Sequence, residues 1–211
     1  MSNGNRNQKP SHYRRVVVKA GTNLLTAGSD HLDIDAMTAL VNQVAQLHRL
    51  GHEVLLVTSG AIAAGRHALG LPQDRRGIPF RQVLAAVGQS RLMHTYEELF
   101  ATHKIVVAQA MLARSDITDR QGYLHVRDSL LALLEMGVVP IVNENDVVAV
   151  EEIGDDEFGD NDTLSALVSN LVDADLLVLL SDIEGLYTAD PIKDPEAKFI
   201  PKVDEIDQEI I

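Results

Sequence analysis

Arg15-Val16-Val17-Val18-Lys19-Ala20-Gly21-Thr22 compresses the fold into eight residues. A short β-branched run that ends on a lysine and a glycine reads as a buried strand opening into a turn, with no alternation to suggest a solvated face. The following residues change period. Met37, Leu40, Val41, Val44 and Leu47 recur at helical spacing between Asp35 and Leu50, with Asp33 as N-cap and Gly51 as stop. Strand, loop and helix then recur: a strand over Glu53 to Val57, helices over Ala61 to Leu69 and Phe80 to Ala101, a strand over Ile105 to Ala108, and a helix from Asp119 to Met136. Val138 to Val142 reads as a strand, Asn161 to Leu171 as a helix and Leu176 to Leu180 as a strand. This alternation predicts the α/β class, an open, mainly parallel sheet with helices on both faces.

Composition narrows the function. The chain has 211 residues, enough for one substantial domain; no linker or repeat divides it, and only the acidic stretch 151–159 looks inserted. Aromatics are 4% with no Trp, too little for a base-stacking surface, so nucleic acid is not an expected partner. Cysteine is absent, which removes disulfides, thiolate metal sites and a cysteine nucleophile. Residues 1–14 are polar and basic without a signal-type apolar core, and read as a flexible tail. No run has the roughly 18–20 apolar residues of a membrane span, so a cytoplasmic protein without membrane contact is expected. Net charge is −13. Residues 144–211 carry 20 Asp and Glu against 3 Lys and Arg, an acidic surface in which some carboxylates are candidates for holding Mg²⁺ or a substrate ammonium.

Ligands of open parallel sheets gather at the carboxyl ends of the strands. Four polar clusters fall there: Lys19 to Thr22, Thr58-Ser59-Gly60, Asn143-Glu144-Asn145-Asp146, and Ser181-Asp182. Lys19 above Gly21 suits a phosphate, and Ser59-Gly60 at a helix start suits a carboxylate or phosphate. Each cluster alone also fits a bland reading, as a solvated lysine, a polar turn or a helix cap. Together they bring a cation, anion-binding turns and carboxylates to one edge, as phosphoryl transfer requires. Gly60 to His67 mimics P-loop spacing but lacks its Lys and Ser/Thr; its small residues suit close helix packing instead. Asp155 to Asp162 does not fit an EF-hand, and the histidines show no metal-ligand spacing.

Six stretches carry a family resemblance: 18–22 (VKAGT), 57–65 (VTSGAIAAG), 84–92 (LAAVGQSRL), 142–146 (VNEND), 158–162 (FGDND) and 185–191 (GLYTADP). The chain from Arg15 onward resembles the glutamate 5-kinase branch of the amino-acid kinase family. Ala20 departs mildly, since a larger apolar residue is usual there. The resemblance implies ATP-dependent phosphorylation of the side-chain carboxylate of L-glutamate, the first step of proline biosynthesis. It implies that Lys19, Gly21, Thr22, Ser181 and Asp182 serve ATP, that Asp162 orients Lys19, and that Ser59, Gly60, Asp146 and Asn161 bind substrate, Asp146 facing its ammonium. ATP and Mg²⁺ are the implied cofactors, with no dedicated protein metal ligands. A homo-oligomer, proline as feedback inhibitor and coupling to glutamate-5-semialdehyde dehydrogenase are implied as partners. The family's domain continues into a glycine-rich segment with a second lysine, and many members add a PUA domain; neither is in these residues, so the domain is expected to be incomplete and little active. Two alternatives stay open: another phosphotransferase of the family, and a non-catalytic module of the same fold that binds glutamate or proline.

Overall fold

In the computed structural model, residues 13–71, 77–148 and 161–204 are described. The tail up to residue 12 and the acidic stretch 151–159 lie outside them. Two compact units divide the chain at Leu180 and Ser181.

The first unit is a five-stranded sheet. Its strands are β1 (Arg15–Ala20), β2 (Glu53–Thr58), β3 (Val107–Leu112), β4 (Val139–Glu144) and β5 (Leu176–Leu180), in the spatial order β3-β4-β2-β1-β5. Every pairing is parallel, so all five carboxyl ends lie on one edge. The helices are α1 (Thr22–Thr26), α2 (Ile34–Arg49), α3 (Ala61–Leu69), α4 (Ile78–Ala101), α5 (Arg114–Thr118), α6 (Arg120–Glu135) and α7 (Asn161–Leu171).

Alternation along β1 explains the layers. Val16, Val18 and Ala20 point into a core shared with Met37, Val41 and Val44 of α2 and with Leu92, Tyr96 and Phe100 of α4. Val17, between them, points into the opposite core with Leu130 and Leu134 of α6 and Val168 and Leu171 of α7. A strand buried on both faces has no polar side to show, which is why its sequence is a continuous apolar run. The expected cap is present: Asp33 accepts from the Ala36 N–H at 2.8 Å; Asp119, read from the sequence as the first helical residue, is instead the N-cap of α6 and accepts from the Gly122 N–H at 2.8 Å.

Three details differ from the sequence reading. The third strand runs Val107–Leu112 rather than from Ile105, because its ladder with β4 begins at Val107, opposite Val139, while Ile105 is buried in the core ahead of it. β3 is an edge strand and mostly half-buried, so its apolar pattern is diluted. The five-residue helices α1 and α5 are too short for a periodic signal. The second unit, considered by itself, holds a two-stranded antiparallel ribbon, β6 (Leu186–Tyr187) and β7 (Phe199–Ile200), with Tyr187 and Phe199 packed edge to face at 5.6 Å. Among the described residues no helix is long and apolar enough to cross a membrane.

Candidate active site

Lys19 is the penultimate residue of β1, and burial leaves it 7% exposed. Its Nζ lies 2.6 Å from Asp162 Oδ1 at the start of α7. No aligned hydrogen bond reaches that oxygen among the described residues, so the two are held by charge proximity. The Asp162 side chain is 43% exposed, which leaves the pair open on its carboxylate side. Gly21 follows in extended backbone, φ −77° and ψ 166°; its use is room, since a Cβ there would stand 3.3 Å from Lys19 Nζ. Thr22, exposed, is the first residue of α1.

Asn161, next to Asp162, turns the other way. Its Nδ2 donates to the Thr58 carbonyl at 2.6 Å, to Ser59 Oγ at 2.6 Å and to Asn143 Oδ1 at 3.2 Å. Asn143 Oδ1 also accepts from the Glu144 N–H at 2.9 Å, and Asn143 Nδ2 donates to Gln89 Oε1 at 2.8 Å. A chain of buried amides therefore ties α7, the end of β2, the end of β4 and α4 together. Asn143 is 2% exposed, Asn161 6% and Gln89 7%. Beneath it, Thr58 Oγ1 and Tyr96 Oη meet at 2.8 Å, and burial pushes the Tyr96 hydroxyl pKa upward, the bond to Thr58 opposing it only in part. A hydroxyl held neutral this way stays a donor.

The backbone at Ser59-Gly60 needs glycine: Gly60 has φ 96°, in the left-handed region, and a Cβ would also stand 3.3 Å from Leu32 Cδ2. The N-cap of α3 is Gly60, which has no side chain to cap it, so the helix start suits an anion. α3 and α4 cross at backbone contact. A Cβ on Gly65 would lie 1.9 Å from the Leu84 carbonyl oxygen, and one on Gly88 would lie 1.7 Å from that of Ala61. The small residues that mimicked a P-loop thus serve close packing, as read from the sequence.

Asp146, half-buried, lies in the turn after β4. Ser181 and Asp182 open the second unit; both are exposed, with Ser181 Oγ 3.3 Å from Asp182 Oδ1 and accepting from the Ile183 N–H at 3.3 Å. Of the candidate residues, then, Lys19 meets Asp162 and Ser59 meets Asn161. Sequence reasoning missed Gln89 as a participant. Its signal was available: Ala85, Gln89, Leu92 and Tyr96 share one helical face, and a glutamine among apolar positions marks a buried polar partner. It also missed Asp30, His31 and His67, an exposed cluster with the two imidazoles 5.1 Å apart, assembled from positions remote in sequence.

Comparison with known proteins adds three relatives and a family. Residues 14–210 match the model of the amino acid kinase family. The chain is 56% identical over 198 residues to a glutamate 5-kinase of Dehalococcoides mccartyi (strain ATCC BAA-2266 / KCTC 15142 / 195), covering 94% of this chain and 53% of that protein. It is 54% identical over 198 residues to the glutamate 5-kinase of Herpetosiphon aurantiacus, with the same coverage. To that of Carboxydothermus hydrogenoformans it is 52% identical over 200 residues, 94% of this chain and 53% of the relative. The chain thus spans about half the length of the curated relatives it matches.

Proposed function

The chain belongs to the amino acid kinase family, and from that premise we propose that it binds L-glutamate and serves the ATP-dependent phosphorylation of its side-chain carboxylate. The observation that carries this reading is the start of α7, where two consecutive residues face two different tasks: Asp162 stands against the buried Lys19 ammonium, and Asn161 bonds to Ser59. A substrate held on the Ser59 side would present its carboxylate toward the cation. The relatives' names support glutamate as that substrate.

In the proposed reaction a side-chain carboxylate oxygen of glutamate attacks the γ-phosphorus of ATP, the bond to the β-bridging oxygen breaks, and an acyl phosphate and ADP result. A carboxylate is already a nucleophile, so no general base is required. Catalysis is then positioning and charge neutralisation. Lys19 supplies positive charge to the transferring group; Asp162 holds Lys19 in place; Gly21 keeps space beneath its Nζ. The uncapped start of α3 at Ser59-Gly60 suits the α-carboxylate, and Asp146 suits the ammonium.

ATP brings Mg²⁺, which would neutralise phosphate oxygens. The chemistry of the residues fits a phosphate-borne ion: Mg²⁺ takes oxygen ligands in few protein contacts, whereas the one three-residue group of metal-ligand type among the described residues contains two imidazoles. Ser181 and Asp182 are assigned to the nucleotide, and the reaction to the cytoplasm, where ATP is abundant and a cysteine-free chain has no need of oxidation. Proline as inhibitor, self-association and a dehydrogenase that consumes the labile acyl phosphate complete the proposal.

The test has two arms. Calorimetry on the purified chain should give heat with L-glutamate and little with L-aspartate or N-acetylglutamate. Hydroxylamine should trap a glutamyl hydroxamate when ATP and Mg²⁺ are present in a preparation of the whole protein. Preference for another acceptor would assign the chain to a different branch of the family. Glutamate binding with no turnover would return the binding-module alternative.

A further inference from the structure

The amide chain at the site ends in two unmet atoms, and its hydrogen bonds dictate which atoms they are. The Glu144 N–H fixes Asn143 Oδ1, so Asn143 turns its Nδ2 to Gln89 and makes Gln89 Oε1 the acceptor. Gln89 Nε2 is left over. Asn161 Nδ2 is committed to the Thr58 carbonyl, Ser59 Oγ and Asn143 Oδ1, so Asn161 Oδ1 is left over too. Both atoms are buried and have no hydrogen-bond partner among the described residues. Flipping either amide cures nothing: Gln89 would then set NH₂ against NH₂, and Asn161 would set its oxygen against the Thr58 carbonyl. Buried polar atoms without partners carry a free-energy penalty that a ligand supplying the partner relieves.

The two atoms differ in kind. Asn161 Oδ1 accepts, which matches an ammonium; Gln89 Nε2 donates, which matches a carboxylate oxygen. An α-amino acid carries both groups on one carbon. Location agrees, because Asn143 joins Gln89 to Asn161, whose Nδ2 also donates to Ser59 Oγ at 2.6 Å. Resting on the glutamate reading above, we propose that Gln89 is a further substrate-binding residue, whose Nε2–H donates to the α-carboxylate of the bound amino acid. A donor already shielded from water meets that carboxylate at full strength.

The test pairs two ligands with two substitutions in calorimetry on the purified chain. 4-Aminobutyrate is glutamate without its α-carboxylate, and its affinity is read by competition with glutamate. Gln89→Met keeps the length and removes the amide. It should weaken glutamate about ten-fold or more while changing 4-aminobutyrate by less than about three-fold, so that discrimination between the two shrinks. Gln89→Glu keeps an acceptor for Asn143 Nδ2 but replaces the donor with a like charge, and should lose glutamate at least as severely. A purely structural glutamine predicts otherwise: Gln89→Met would weaken both ligands by one common factor, and Gln89→Glu would restore binding. Either result, or wild-type glutamate affinity in either variant, overturns the proposal. Absence of glutamate binding by the wild-type chain would instead refute the substrate reading itself, and this inference with it.

Discussion

Gly88→Ala probes the joint between packing and function. The added methyl would sit 1.7 Å from the Ala61 carbonyl oxygen and 2.4 Å from the Gly65 nitrogen, where ordinary contact needs about 3.5 Å. All of these are backbone atoms, so no side-chain rotation relieves the clash; α3 and α4 must part by roughly 1.5 Å or more. Overpacking commonly costs about 1–3 kcal/mol, and a backbone-to-backbone contact belongs at the upper end. For a chain of this size about 3 kcal/mol corresponds to a fall in Tm of about 6–12 °C. The same displacement carries Ser59 away from Asn161, whose bond is 2.6 Å long, so glutamate affinity should fall by about ten-fold in addition. Urea unfolding and calorimetry on one preparation read both effects. Gly70→Ala is the control: Gly70 has φ 62° with no described residue within 4 Å of a Cβ, so backbone strain of about 1 kcal/mol is the expected cost. A Gly88→Ala protein whose Tm stays within about 1 °C of wild type would refute the packing argument.

Lys19→Ala should lower kcat by about 10²-fold or more, the usual worth of a charge acting in the transition state, and leave glutamate binding by calorimetry within about three-fold; an unchanged kcat would remove Lys19 from the mechanism. Asp146→Asn should raise KM for glutamate roughly ten-fold with kcat little changed, because a carboxylate facing the ammonium acts in ground and transition states alike; a fall in kcat alone would reassign it. Acid stability should depend on Asp175, whose carboxylate accepts from the Arg15 and Arg14 N–H groups at 2.7 Å each and is held below its ordinary pKa by them. A depressed folded pKa gives stability that is present above about pH 4, the unfolded value, and is lost as pH falls through the lower folded one. Asp175→Asn should therefore narrow the gap in Tm from wild type as pH drops from 6 to 3; a constant gap would argue against the linkage.

Much of the fold was legible because its determinants are local. The apolar runs of β1, β2 and β5 and the capped, periodic α2 and α6 announce themselves, since burial on both faces and one-sided burial leave different periods in the sequence. The candidate site was legible only in part. Lys19, Ser59, Asn161 and Asp162 follow from strand and helix ends, but the link from Asn161 through Asn143 to Gln89 depends on how closely α4 lies against α3. That distance is set by Gly65 and Gly88 acting across the interface, and neither glycine declares its partner. Asp30, His31 and His67 meet for the same kind of reason, two segments folded together without any motif joining them.

The strand order has a consequence for synthesis. β1 sits between β2 and β5, and Val16 pairs with Leu176. When β2 leaves the ribosome β1 gains one neighbour, but its other edge waits for residues near 176. At about 5–20 residues per second that wait is on the order of ten seconds, with a central, β-branched strand presenting unpaired N–H and C=O groups. Nascent chains should thus engage chaperones while α3, α4 and α6 are being made, and a translational pause before β5 should raise aggregation more than an equal pause after it.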